Sequence, residues 1–340
     1  MSIRSIFSNS LACRTKISFR ALLPCTCGLA LLLLSCNNLG EDAGAVMDGE
    51  DSALVVNGGM TNIRLAKRNA AGEFVEGSSF TRDTDHVEQI LPALFQNEGP
   101  AWENENIAFR LYWDRRNGID IHGKKVRNMV LDTVGLDRND YHAMSDWGMD
   151  ILKAGNSLGA GSIAFLIDGE VHRLGDATEE RVRILAETPL RSSFLLEYRG
   201  LEIAGRQLDV DWTISIATGT HGYDAEVEVT GLTGGEELLV GIVNLHSDTL
   251  YTKEWDGRFA AYTYGPQAEL DYLLGMAVTV DKSDYLGTGE LGPDAQPVSS
   301  TYYVKARLRE GLPTEYRFTA GWAPGHERFG SREGFEGVIR

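Results

Sequence analysis

The clearest pattern along the chain is an alternation of apolar and polar residues with a period of two. In LDVDWTISI, Leu208, Val210, Trp212, Ile214 and Ile216 alternate with Asp209, Asp211, Thr213 and Ser215, which predicts a strand with one face in a core and one in water. YDAEVEV repeats the pattern with Tyr223, Ala225, Val227 and Val229, and TYYVKARL and EYRFTAGW carry it again. FLIDGEVHRL reads as a hairpin turning on Asp168-Gly169, a dipeptide suited to the positive φ angles of a tight turn. GNSLGAGS reads as a turn before the strand IAFLI, and only TDHVEQILPALFQ has helical spacing, weakened by Pro92. Such strands run from about Asn57 to Ile339 without a linker-like shift in composition or a repeat of fixed period. The expectation is an all-β chain whose residues 57–340 form a single large antiparallel β-sandwich.

The first thirty-five residues fall outside this pattern. Arg4, Arg14, Lys16 and Arg20 precede the apolar run GLALLLLSC, which is too short for an ordinary membrane span and reads as an export signal. Its end, Leu33-Leu34-Ser35-Cys36, resembles the lipobox of bacterial lipoproteins, which predicts lipidation at Cys36 and an exported protein anchored to the outer membrane by that lipid alone. Residues 36–56 are small and acidic, as a flexible tether would be. All four cysteines lie at or before Cys36, so disulfides, thiolate metal sites and cysteine nucleophiles are excluded beyond it. Removing the leader's four basic residues from the chain's 32 leaves 28 Lys and Arg against 49 Asp and Glu, a formal charge of −21. Nucleic acid is a poor partner for such a surface.

Against that acidity, one segment stands out. IAFRLYWDRRNGIDIHGKKVR holds Arg110, Arg115, Arg116, Lys124, Lys125 and Arg127 within eighteen residues. It reads as a hairpin with Ile107, Phe109, Leu111 and Trp113 on one face of its first strand, Arg110, Tyr112 and Asp114 on the other, and Arg116-Asn117-Gly118 as the loop. That register sets Trp113 opposite Ile121, Tyr112 opposite His122, and Asp114 opposite Asp120. The local reversal of charge marks the hairpin as a border of an anion site, with a solvated strand face as the plainer alternative.

The stretch YHAMSDWGMD places His142 and Asp146 four apart, so one helical turn would bring them together before Gly148 starts a loop. A histidine oriented by a carboxylate is a good proton acceptor near neutral pH. The bland alternative is a locally bonded His142 with Trp147 filling one end of the sandwich. His86, His172 and His221 read as surface residues, whereas His246 and His326 follow strands and are candidates to converge from the other sheet. No His-x-His or His-Glu-x-x-His spacing is present, and the sequence leaves open a divalent cation held by scattered Asp, Glu and His side chains. There is no Gly-x-Ser-x-Gly elbow, phosphate-binding glycine loop or dinucleotide fingerprint.

Three blocks, EGPAWENENIAFRLYWDRRNGIDIHGKK, VLDTVGLDRNDYHAMSDWGMDILKAGNSLGAGS and FTAGWAPGHERFGSREGFEGVI, together resemble a family of exported proteins of marine and gut bacteria. Most members carry a domain of unknown function and are encoded among genes for degrading acidic polysaccharides, and one looks to be an oligosaccharide dehydratase of ulvan degradation. The resemblance implies a carbon–oxygen lyase that removes water across C4 and C5 of a terminal uronic acid. Such chemistry needs a base for the C5 proton, cations or donors for the carboxylate, and an acid for the departing hydroxyl. On this reading His142 is the base, Tyr141 or Tyr112 the acid, and Asp146 fixes the imidazole tautomer. Arg110, Arg115, Arg116, His122 and Lys124 border the substrate carboxylate, where a guanidinium grips with two parallel hydrogen bonds. Trp102, Trp113 and Trp147 are candidate faces for sugar rings.

Two further readings compete with it. One is a non-catalytic glycan-binding lipoprotein, because fold does not decide function. The other is a sugar epimerase or mutarotase, which would share the expected fold, a supersandwich of the galactose-mutarotase-like kind.

Overall fold

The period-two segments are strands, and their apolar positions meet in one core. Leu208, Val210, Trp212, Ile214 and Ile216 are buried along the strand Arg206–Ala217, while Asp209 is exposed. Alternation on a pleated strand puts every second side chain on the same face, so this pattern fixes which face meets the core. The computed structural model describes residues 60–82, 93–136, 141–175 and 177–339, all within the unit 54–340. The leader with Cys36, the tether at 36–56 and most of the helically spaced stretch, including Pro92, lie outside the described residues.

The described residues are nearly all-β, built on large antiparallel sheets. The largest has nine strands, in spatial order Tyr251–Trp255, Arg258–Gly265, Leu274–Asp281, Thr314–Trp322, Gly222–Thr230, Arg206–Ala217, Arg191–Ile203, Glu179–Glu187 and Ser79–Arg82. Two five-stranded sheets share its core. One is ordered Glu170–Arg173, Ala160–Ile167, Glu237–Val243, Thr301–Arg307 and Tyr285–Leu291. The other, which contains the charged hairpin, is ordered Thr61–Arg64, Ala101–Asn104, Ile107–Leu111, Ile119–Lys124 and Gly148–Asp150. Trp212, Ile214 and Phe318 of the large sheet, Ile163, Phe165 and Val240 of one small sheet, and Trp102, Phe109 and Ile121 of the other belong to one hydrophobic cluster.

Polar ties lock the layers at set points. Tyr223 Oη donates to Ala160 O at 2.7 Å and Tyr316 Oη to Gly161 O at 2.8 Å. Gly161 has φ of +88°, and a Cβ there would stand 2.4 Å from Tyr223 Oη. Gly161→Ala therefore meets both the positive-φ penalty and a collision inside a packed core, and we expect it to lower stability by about 2–4 kcal/mol. Urea unfolding at fixed pH measures this, and a loss below about 0.5 kcal/mol would contradict the packing described.

The hairpin at Asp168-Gly169 forms as its sequence predicts, with Glu170 opposite Ile167 and both turn residues at positive φ. The charged hairpin differs in register. Its strands pair Arg110 with Asp120, Ala108 with His122 and Phe109 with Ile121, so Trp113, Tyr112 and Asp114 do not oppose Ile121, His122 and Asp120. Residues 112–118 form the connection instead. The slip is even in number, so every side chain keeps its expected face.

Candidate active site

The hairpin sheet turns Trp102, Phe109, Ile121 and Met149 to the core. By the same alternation its other face carries Arg110, Asp120, His122 and Asp150, with Arg110 opposite Asp120 and His122 opposite Asp150. A polar sheet face commonly meets water. Here Arg110, Asp120, His122 and Asp150 are all at most 2% exposed, and the segment that brings in Tyr141, His142 and Trp147 lies against them.

Arg110 is the hub. Its Nη2 donates to Asp120 Oδ2 and Asp150 Oδ2, each at 2.8 Å, and to Tyr112 Oη at 2.7 Å; its Nη1 donates to Glu98 Oε1 at 3.2 Å and Tyr141 Oη at 3.1 Å. Burial works against its charge, but Asp150, Tyr112, Asp120 and Tyr141 outweigh that and hold the guanidinium firmly protonated. Tyr112 Oη donates to Asp120 Oδ2 at 2.5 Å. Burial, and then the Asp120 carboxylate, push its phenol well above the ordinary tyrosine range. Burial and the neighbouring Asp120 also push the Asp150 carboxyl up, against the pull of Arg110.

His142 stands at the mouth of this network. Its side chain is 55% exposed, Nδ1 is 3.5 Å from Asp150 Oδ2, and its ring lies 4.6 Å from that of Tyr141, tilted by 38°. The carboxylate set beside His142 is thus Asp150, in place of the expected Asp146. Asp146 is exposed in a bend, because residues 141–147 form turns and no helical turn. Asp150 is fixed from behind, where its backbone N–H donates to Tyr141 O at 2.8 Å.

Of the expected site residues, Arg110, Tyr112, His122, Tyr141 and His142 converge, with Trp147 packed edge-on 6.0 Å from the His122 ring. Trp102 and Trp113 do not join them as sugar platforms. They are 0% and 3% exposed and belong to the core, on the face that also carries Phe109 and Leu111. Arg116 stacks over the Tyr112 ring at 4.0 Å, yet it is held by Asp114, at 2.5 Å to Oδ2, and by Glu98 Oε2 at 2.9 Å. Those two carboxylates outweigh the cost of its burial and keep it charged. Lys124, buried, donates to Glu103 Oε2 and Asn104 O at 2.6 Å each, while burial lowers its pKa against the opposing pull of Glu103. The basic hairpin is therefore largely neutralised from within, by carboxylates on the neighbouring strand and turn. Arg115 and Lys125 are exposed at its ends.

His122 is the most unusual member. Neither ring nitrogen has a hydrogen-bond partner, and burial, followed by the charge of Arg110, lowers its pKa to about 3. It stays neutral at physiological pH. We expect its ring proton resonances not to titrate between pH 8 and pH 5, and movement with a midpoint near the ordinary histidine value would contradict the burial described. A pKa below the unfolded value means the unfolded state takes up the proton first. His122 thus favours the fold above about pH 6.5, and that contribution is lost as pH falls toward its folded value.

Glu98 and Asp150 are participants that sequence reasoning missed. Glu98 sits in a turn where both it and Asn97 have positive φ, and Asp150 ends the three-residue strand Gly148–Asp150, too short to show a period. His246 is exposed and His172 half-buried, while His221 and His326 come within 6.1 Å of each other, ring to ring. Among the described residues no group of three or more His, Asp or Glu side chains is arranged to hold a metal ion.

Residues 52–340 match the family described as Domain of unknown function (DUF4861). The chain belongs to this family. No curated protein matches it. Among solved structures, the family member is similar to a proposed aldose 1-epimerase from Klebsiella pneumoniae subsp. pneumoniae MGH 78578, with 9% identity and a TM-score of 0.34, over 77% of this chain and 91% of that one.

Proposed function

We propose that this protein is a carbon–oxygen lyase of polysaccharide degradation, a dehydratase that acts on the terminal uronic acid of an acidic oligosaccharide and leaves an unsaturated uronyl residue. One observation carries the reading: Arg110, Tyr112, Tyr141 and His142, drawn from two separate segments, meet in a single network that is buried behind and open at His142.

The division of labour follows from where each proton is held. Tyr112 spends its proton on Asp120, so it organises the site without donating outward. Tyr141 Oη accepts from Arg110, which leaves its own proton for a departing hydroxyl and a fixed cation to steady the oxygen behind it. His142, with Nδ1 turned to Asp150, takes the C5 proton through Nε2. The C5–H electrons form the new C4–C5 double bond, the C4–O bond breaks, and the hydroxyl leaves as water with the proton from Tyr141. Arg115, exposed in the 112–118 connection that also carries Tyr112, is the guanidinium for the substrate carboxylate. Export and a lipid anchor at Cys36 would place this activity at the outer membrane, where such oligosaccharides arrive.

The test is ultraviolet absorbance of the leader-free protein incubated with a panel of saturated, uronate-terminated oligosaccharides. We expect the absorbance of a conjugated unsaturated uronate to rise with at least one of them. Retention by acidic glycans in affinity electrophoresis with no rise anywhere in the panel would replace the lyase by the glycan-binding reading.

A further inference from the structure

A hollow of about 80 Å³ opens beyond the end of the strand that carries His122. Lys125, Arg127, His221, His326, Trp322 and Phe329 line it. His221 also borders the adjoining hollow, which adds Arg328 and Arg317. In that adjoining hollow Arg317 is held by Asp224 at 2.7 Å, whereas two cations of the first hollow, Lys125 and Arg127, have exposed side chains. The carboxylate in the wall, Glu105, has its oxygens engaged by Thr218 Oγ1 at 3.0 Å, Gly219 N at 2.7 Å and Arg127 at 3.6 Å. The Arg127 side chain remains 63% exposed, and Lys125 is exposed, with Nζ 3.3 Å from Ser145 O.

The two histidines are built into the wall. Their rings cross at 86°, and both pack on Phe329, at 4.8 Å for His221 and 5.7 Å for His326. His326 Nδ1 accepts from Arg328 N at 3.2 Å, so in the neutral ring Nε2 carries the hydrogen and is a donor. Burial, followed by His326 and Arg328 and against the pull of Glu105, lowers the His221 pKa to about 4. Gly123 lets the wall close, since a Cβ there would meet the Trp322 ring at 2.6 Å.

We propose that this hollow is a second oxyanion subsite, taking a carboxylate or sulfate ester carried by the same glycan chain. The inference rests on the lyase reading for its orientation. Lys124, in the wall of the hollow, is two residues or about 7 Å from His122 on one strand, so the hollow and the proposed site share one sheet, and a later sugar of the same chain is the part that would occupy the hollow. Lys125 links the two places, because its backbone N–H donates to Trp147 O at 2.8 Å.

The test follows the ring resonances of His221, His326 and His246 while the leader-free protein is titrated with sodium glucuronate, with galactose 6-sulfate and with galactose. We expect saturable shifts of His221 and His326 with at least one of the two anions, none with galactose, and none at His246. The anion that acts identifies the group the subsite takes. In Lys125→Gln/Arg127→Gln the dissociation constant should rise about tenfold, with the fold intact by circular dichroism. His142→Ala should keep the shifts, so a missing elimination activity and a missing subsite are read separately. Absence of saturable shifts with both anions, equal shifts with galactose or at His246, or unchanged affinity in the double variant would overturn the proposal.

Discussion

Replacing His142 by alanine is expected to lower the turnover of uronate elimination by a factor of about 10²–10⁴, the range for loss of a positioned general base. The side chain is 55% exposed and its partner Asp150 is also held by Arg110. The fold should therefore survive, with a stability change within about 0.5 kcal/mol. Substrate affinity should change little, since the proposed carboxylate contact is made by Arg115. Tyr141→Phe supplies the companion result. It keeps the ring against His142 but removes the proton for the leaving hydroxyl, so its loss should fall on kcat and leave KM nearly unchanged. A His142→Ala enzyme that retains more than about a tenth of the wild-type rate would remove His142 from the mechanism.

The largest effect on stability belongs to Arg110→Met. The change keeps most of the side-chain volume but leaves the buried carboxylates of Asp120 and Asp150 without their shared cation. Breaking a buried pair from one side costs about 3–5 kcal/mol. The cost should depend on pH in a defined direction. Without the cation, a buried carboxyl is best accommodated protonated, so the variant should be least stable at high pH and recover part of the loss as pH falls. Denaturant unfolding at pH 8 and pH 5 measures both terms. A penalty below about 1 kcal/mol, or one that grows on acidification, would contradict the description of Arg110 as the hub.

Most of the strand framework was legible because its period is written into single segments. Trp212 and its neighbours alternate without interruption, and the Asp168-Gly169 turn has the residues its backbone requires. The charged hairpin shows the limit of this reasoning. Its faces were legible, since alternation survives an even slip, but the seven-residue connection at 112–118 was not, because Trp113 and Asp114 continue the strand pattern while the chain turns. Trp113 already shared a face with Phe109 and Leu111, so its burial was foreshadowed there, and Trp102 joins them through its pairing with Phe109.

Charge was the least legible quantity. The basic run from Arg110 to Arg127 looked like an uncompensated patch, yet Glu98, Glu103, Glu105 and Asp150 reach it from other turns and strands. A linear window shows which charges are neighbours in sequence and says nothing of those brought opposite by strand pairing. The same limit explains Asp146 and Asp150. Spacing alone favoured the residue four positions from His142, whereas the pairing of His122 with Asp150 decided which carboxylate lies under the ring.

The most direct test of the central claim is mass spectrometry of the products formed from a saturated, uronate-terminated oligosaccharide. The account predicts a single product lighter by one water, with the chain uncut, and its loss in the His142→Ala protein. Two shorter fragments, or an isomer of unchanged mass, would contradict it.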